Sequence, residues 1–323
     1  MEKRELVIVG AGPAGISAAI AAQRRGLRDI LIIDRLPQVG GILPQCLHRG
    51  FERAPLGALT GPEYVKTLLT ELGDGVEVRT GAFVTEMTGG GVVTVAGSRG
   101  VCGISAGAVI LAAGCRERTV GSLPVYGSRP AGVFTAGSVQ KMLNLSGYHV
   151  GIRAVVLGSG DVGMIVAHHL AASGAEVPAV IEKARGVGGL MRNKRLYLDT
   201  HSIPLITEHT ITELHGARRL EAVTVCRVDK TGKPIPDSGY RLECDTLISS
   251  VGLVPELELI RDLPLRFEAG VLSGDSVATE IPWLFVCGNA RRVHSLVGSV
   301  ATEGARAGEC AAHYLSCGSS TTS

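Results

Sequence analysis

The sequence predicts an α/β protein made of two Rossmann-like dinucleotide-binding domains. Three observations lead there. One strand-and-glycine pattern occurs twice: Leu6 to Gly15 reads LVIVGAGPAG, and Ala154 to Gly163 reads AVVLGSGDVG. Each copy is followed by a stretch of helical pattern, Ile16 to Arg25 and Met164 to Ser173, and then by a second apolar strand ending in an acid, Asp34 and Glu182. The composition agrees. Of 323 residues 45% are hydrophobic, 44 are glycine and only 4% are aromatic, a mix that suits buried parallel strands and Gly-rich turns.

Each part of the repeat has a physical task. Gly10 and Gly158 permit the tight turn. Gly12 and Gly160 let the backbone approach a pyrophosphate. Gly15 and Gly163 let the helix pack closely on the strand. The helix N-terminus then presents free N–H groups and a positive dipole end to phosphate. Asp34 and Glu182 each stand where a ribose hydroxyl needs an acceptor. A carboxylate at Glu182 favours a free 2′-hydroxyl and repels a 2′-phosphate, so NAD is expected over NADP; Lys183 and Arg185 act in the opposite sense.

Other features exclude classes. The net charge is +2 without a basic block, so no nucleic-acid partner is expected. No apolar run has the length of a membrane span, and a first strand starting about five residues in leaves no room for a signal peptide. A cytoplasmic protein is expected. The eight cysteines (46, 102, 115, 226, 244, 287, 310 and 317) include no C-x-x-C and no zinc spacing, so no metal is expected and most should be buried small hydrophobes. The tail GSSTTS reads as disordered. His168 and His169 are adjacent on a helical stretch, which suits neither a zinc pair nor a dyad. Arg291, Arg292 and His294 fall in an expected solvated loop, with substrate or partner binding as the alternative.

These motifs resemble those of the two-dinucleotide-fold flavoproteins, the family of thioredoxin reductase and the pyridine nucleotide-disulfide reductases. GAGPAG is the form its FAD-binding turn takes. Ala108 to Gly114 (AVILAAG) resembles the strand returning to the FAD site, Thr246 to Glu256 (TLISSVGLVPE) the segment closing the NAD domain, and Ala278 to Asn289 (ATEIPWLFVCGN) the late FAD motif. The resemblance implies an FAD domain over 1–118 and 252–323 with the NAD domain, 119–251, inserted. It assigns Gly10, Gly12, Pro13, Ala14, Gly15, Asp34, Arg35, Gly41, Ala113, Gly114, Gly288 and Asn289 to FAD. It assigns Gly158, Gly160, Asp161, Val162, Gly163, Glu182 and Gly252 to NAD. Asn289 stands where relatives carry the Asp that binds the ribitol chain. Val297 to Ala312 reads as a helix whose start, at Ser299 and Val300, would point at the flavin pyrimidine.

The stretch VGGILPQCLHRGF, Val39 to Phe51, is where the larger disulfide reductases carry two cysteines. Here Leu43 takes the first position and Cys46 stands alone with His48 nearby. Dithiol chemistry needs two thiols, so disulfide reduction is not expected. Either Cys46 is a thiolate activated by His48 beside the flavin, or Gly40-Gly41 lets the loop approach the flavin while Cys46 packs against the ring and His48 caps backbone. The second is favoured. Thr60 and Glu63 have capping-box spacing, so a helix should start there with Pro62 in its first turn. Ile165 occupies the place where many relatives carry a Glu near the nicotinamide.

GGILPQCLHRGF, TGPEY, GVFTAGSVQKMLN and FVCGN resemble a branch without redox cysteine pairs. That branch includes FAD subunits of amino-acid dehydrogenases, hydrogen cyanide synthase, sarcosine oxidase and glycerol-3-phosphate dehydrogenase-associated flavoproteins. It implies an FAD-dependent, NAD-linked oxidoreductase that exchanges electrons with a second flavoprotein or an iron–sulfur subunit, in a homo- or hetero-oligomer. Two alternatives stay open: a thioredoxin-reductase-like ferredoxin or flavodoxin–NAD(P) reductase, and a nucleotide-binding structural or regulatory subunit without hydride transfer.

Overall fold

The computed structural model describes residues 1–53 and 57–318. The chain divides into two compact units: residues 1–116 with 254–323, and Glu117–Leu253. The tail residues 319–323 lie outside the described residues.

The first unit is built on a mixed sheet. Its parallel part runs in the order Val76–Arg79, Ile30–Ile33, Glu2–Val9, Gly100–Leu111, and Leu284–Val286 also pairs in parallel with Gly100–Leu111. Register pairs Val9 with Ile33 on one side and with Leu111 on the other. The strands Val92–Gly97 and Phe83–Thr88 extend the sheet antiparallel. Leu6, Val7, Ile8 and Ile30 to Ile33 are all buried, because the sheet is covered on both faces.

The helix Pro13–Arg24 starts three residues before the helical pattern of the sequence suggests, since the third glycine of the motif lies inside its first turn. From Ala14 to Ala22 it is buried throughout. Its small residues face the long helix Val297–Gly318, and a Cβ on Gly304 or Gly308 would overlap the carbonyl oxygens of Ala14 and Ala18. The two backbones therefore touch, and a larger residue at either glycine would separate them. The helix Gly61–Leu69 opens on the expected capping box: Thr60 N–H donates to Glu63 at 2.7 Å and Glu63 N–H to the Thr60 hydroxyl at 3.4 Å.

The second unit has a parallel sheet in the order Val133–Thr135, Thr246–Ser249, Ala154–Leu157, Val180–Ile181, Leu205–Ile206. The helices Ala136–Ser146 and Asp161–Ala172 pack on it through Ala136, Val139, Met164, Val166, Ala167 and Leu170. A separate sheet of Tyr126–Gly127, His209–His215, Ala222–Arg227 and Tyr240–Glu243 covers another core around Val155, Leu157, Val223 and Val225.

Candidate nucleotide sites

In the first unit, the strand Glu2–Val9 delivers Gly10 into a turn with φ 111°, open to glycine at little cost. A Cβ there would overlap the carbonyl oxygen of Ala112, and one on Gly15 would overlap that of Gly10. Gly12 differs: its missing Cβ would face only the Cα of Gly41, at 3.9 Å. It caps the helix without a side chain, so the helix N-terminus presents bare backbone. Asp34, buried at the end of the second strand, accepts the Ala11 N–H on one oxygen at 2.7 Å and the Leu36 N–H on the other at 2.8 Å. Beside it lies a cavity of about 560 Å³ lined by Gly10, Asp34, Arg35, Ala113, residues 82–89 and Leu259. Arg35 at its rim is paired with Glu256 at 3.6 Å. Bare N–H groups, a glycine cradle and an adjoining cavity fit a dinucleotide.

The late motif joins this locus. A Cβ on Gly288 (φ 65°) would lie 2.8 Å from that of Ala14 and 3.4 Å from Val300. Gly114 has φ 75°, and the next residue, Cys115, is 3.6 Å from the amide nitrogen of Asn289. The Asn289 oxygen accepts the His294 N–H at 2.9 Å. Ser299 is exposed in the first turn of its helix.

The loop expected to be solvated instead buries two of its polar side chains, Arg291 and His294. Arg291 is 5% exposed and paired with Glu303, its Nε donating at 2.6 Å; His294 meets the same carboxylate at 2.9 Å, and the Gly288 N–H donates to it at 2.7 Å. Arg292, Val293, Ser295 and Leu296 of the same loop face solvent. Burial pushes the Glu303 carboxyl up, but the hydrogen bonds of His294 and Arg291 prevail and hold it below the ordinary value. Glu303 carries no sequence signal of its own, because it lies nearly two turns into a helix that reads as small-residue packing.

Cys46 is buried. It follows a 3₁₀ turn, Leu43–Gln45, and its carbonyl accepts the Gly61 N–H at 2.8 Å; its thiol meets the Ile42 carbonyl at 3.4 Å. It packs against the start of the helix Gly61–Leu69. Burial pushes the thiol up to about 12, so no thiolate forms near neutral pH. The His48 ring lies 5.1 Å from that of Phe51, and burial lowers its pKa. Cysteines 226, 244 and 287 are also buried, but 102 and 317 are exposed and 115 and 310 half-buried. Half of the cysteines, rather than most, are core residues.

The second unit repeats the first turn. Gly158 has φ 102°, and a Cβ on it would overlap the Ser250 carbonyl; one on Gly163 would overlap that of Gly158. A Cβ on Gly160 would meet nothing within 4 Å. Glu182 accepts the Ser159 N–H at 2.8 Å and its hydroxyl at 2.6 Å on one oxygen, and the Ala184 N–H at 2.8 Å on the other. Its glycine cradle and glycine-capped helix N-terminus fit the diphosphate of a dinucleotide. Asp161 opens the helix and Val162 is exposed; Gly252, φ 108°, lies two residues beyond Ser250. Lys183 leans over the turn at Gly232, whose Cβ would lie 2.9 Å from its Nζ.

His168 does form a close pair, but with His201 rather than His169: the ring nitrogens are 2.8 Å apart. Burial and then His201 lower the His168 pKa. The partner lies 33 residues away in the chain, beyond any helical spacing rule. Among the described residues no helix is long and apolar enough to cross a membrane.

A family described as pyridine nucleotide-disulphide oxidoreductase matches residues 4–305. The hydrogen cyanide synthase subunit HcnB of Pseudomonas protegens is 29% identical over 80% of this chain and 59% of its own length. The chain thus spans about three-fifths of that relative. A ferredoxin–NADP reductase of Salinispora tropica is 26% identical over 94% of this chain and 90% of its own. The structure of T. acidophilum thioredoxin reductase aligns with a TM-score of 0.77 at 22% identity, covering 99% of this chain and all of that one, a likeness of fold.

Proposed function

The chain belongs to the pyridine nucleotide-disulphide oxidoreductase family, and from that premise we propose that it is an FAD-dependent, NAD-linked oxidoreductase that passes electrons to or from a partner subunit. The observation that carries this reading is the duplicated turn: in each unit an acid at the end of the second strand holds a glycine turn, and a glycine without a side-chain cap opens the helix that follows. The first turn, with Gly41, Gly114, Gly288 and Asn289, would hold FAD. The second, with Glu182, would hold NAD. The cofactors supply hydride chemistry; the protein orients them and sets their electrostatics.

No side chain need act as acid or base. Cys46 contributes packing, since its thiol stays protonated. Glu303 ties the Gly288 backbone to Arg291 and His294 and so positions the loop that carries Asn289. The Glu182 carboxylate favours NAD, and Lys183 leans away toward Gly232. The HcnB relative is a subunit by name, which supports a partner for this chain.

A second reading, a ferredoxin–NAD(P) reductase, is favoured by length, since such a relative matches over 94% of this chain and 90% of its own. An anaerobic titration with NADH and then NADPH, following the flavin absorbance band, decides. Bleaching by NADH supports the proposal. Preferential bleaching by NADPH supports the second reading. A yellow protein that neither nucleotide bleaches, even with a partner supplied, would leave a subunit without hydride transfer.

A further inference from the structure

The acids Asp34 and Glu182 are 148 residues apart, as are Gly10 and Gly158. The same offset carries Val39-Gly40-Gly41 onto Val187-Gly188-Gly189. Both acids are thus followed by V-G-G at the same distance. In the first unit this segment returns to its turn: the Gly40 N–H donates to the Ala11 carbonyl at 2.7 Å, and a Cβ on Gly41 would lie 3.1 Å from the Gly12 Cα. In the second unit the Gly189 N–H donates to the Ser159 carbonyl at 2.9 Å, and the Gly188 N–H to the Ser159 hydroxyl oxygen at 2.7 Å. A Cβ on Gly188 would lie 3.4 Å from the Gly160 nitrogen, and one on Gly189 2.6 Å from the Asp161 nitrogen. The segment therefore runs along the backbone that opens the helix Asp161–Ala172.

A polar latch holds it there. One oxygen of Asp161 accepts the Leu190 N–H and the Asn193 side-chain amide, both at 2.8 Å. A carboxylate in the first turn would repel a diphosphate placed at the same helix end. Here its charge is directed to the segment's own donors.

We infer that Gly188–Asn193 is a positioning strap that forms the second wall of the diphosphate subsite in the second unit, latched by Asp161 and Asn193. This rests on the proposed reading that the second unit holds a pyridine dinucleotide. Glycine is needed at 189 because any side chain there lifts the strap from the turn. The strap is not catalytic; it shapes where the diphosphate lies.

The test uses the full FAD-loaded chain, titrated calorimetrically with NAD⁺ and with ADP-ribose, which carries the diphosphate without the nicotinamide. Asn193→Ala, a half-buried surface change, should weaken both probes by roughly 3- to 10-fold. Gly189→Ala should weaken them by roughly 10-fold or more. The KM for NADH should rise while kcat, FAD content and the Asn193→Ala melting temperature hold. A wild-type chain that binds neither probe defeats the reading of the second unit itself. Wild-type binding with Asn193→Ala unchanged overturns the strap, and so does a loss confined to kcat. If Gly189→Ala lowers the melting temperature, Asn193→Ala decides alone.

Discussion

In the first unit the Asp34 carboxylate takes the N–H groups of Ala11 and Leu36; in the second the Glu182 carboxylate takes those of Ser159 and Ala184. The backbone plan is shared, and what anchors the loop after each acid is not. The first loop buries Leu43 in a cluster with Ile16, Ile20, Tyr64, Val65 and Leu68. The second leaves Leu190 and Met191 exposed and is held through Asp161. A buried leucine is worth about 2 kcal/mol, while a half-exposed hydrogen bond is worth about 1 kcal/mol. Gly40 and Gly41 also have positive φ, whereas Gly188 and Gly189 do not, so the second pair answers only to close approach. A loop set in a core suits a nucleotide that stays; a loop set by polar contacts suits one that comes and goes.

The largest expected effect breaks the two halves apart. Gly10→Val places a branched side chain at φ 111° against the Ala112 carbonyl, costing more than about 4 kcal/mol. It should yield protein without FAD. Gly158→Val should keep the FAD absorbance and lose reduction by NADH. If both variants lost FAD alike, the division of labour between the turns would be wrong.

Next comes Glu303→Ala, which strands the buried Arg291 and should lower stability by about 3–4 kcal/mol in a denaturant melt. The sign of the pH effect follows from the lowered carboxyl. Its contribution is fully present above the ordinary carboxylate value of 4.5 and is lost as pH falls through the depressed value. Melting curves of the wild type should therefore fall toward those of Glu303→Gln on acidification. A gap that stays constant with pH would remove the carboxylate from the account.

Asp34→Ala and Glu182→Ala sharpen the comparison further. Each removes a charged acceptor from two backbone donors, about 1.5–3 kcal/mol. The first should weaken FAD retention, measured by release on dilution, and the second should raise the KM for NADH roughly 10-fold or more. Unchanged NADH and NADPH kinetics in Glu182→Ala would dismiss the cofactor assignment.

The smallest effect is expected at Cys46. Cys46→Ser should leave reduction by NADH within about twofold and cost about 1 kcal/mol of stability. With its thiol pushed up to about 12, it should resist alkylation at pH 8 in the native protein. Loss of flavin reduction with FAD still bound would restore a working thiol.

The sequence by itself determined the repeated turns, the acids after them and the capping box at Thr60, because each depends on residues close in the chain. Gly10 and Gly158 had to be glycine for a backbone reason, and such reasons are legible locally. The V-G-G at 187–189 was legible in the same way, by the constant offset, although the glycine motif alone does not point to it. Tertiary structure alone decided the fate of Arg291. Its residue type and neighbours read as a solvated loop, and only the helix carrying Glu303 closes over it. The same holds for His168, whose partner His201 arrives from a separate segment, and for Cys46, which the helix at Gly61 covers. Burial and charge pairing are set by what packs from elsewhere in the chain, and periodicity carries no record of that.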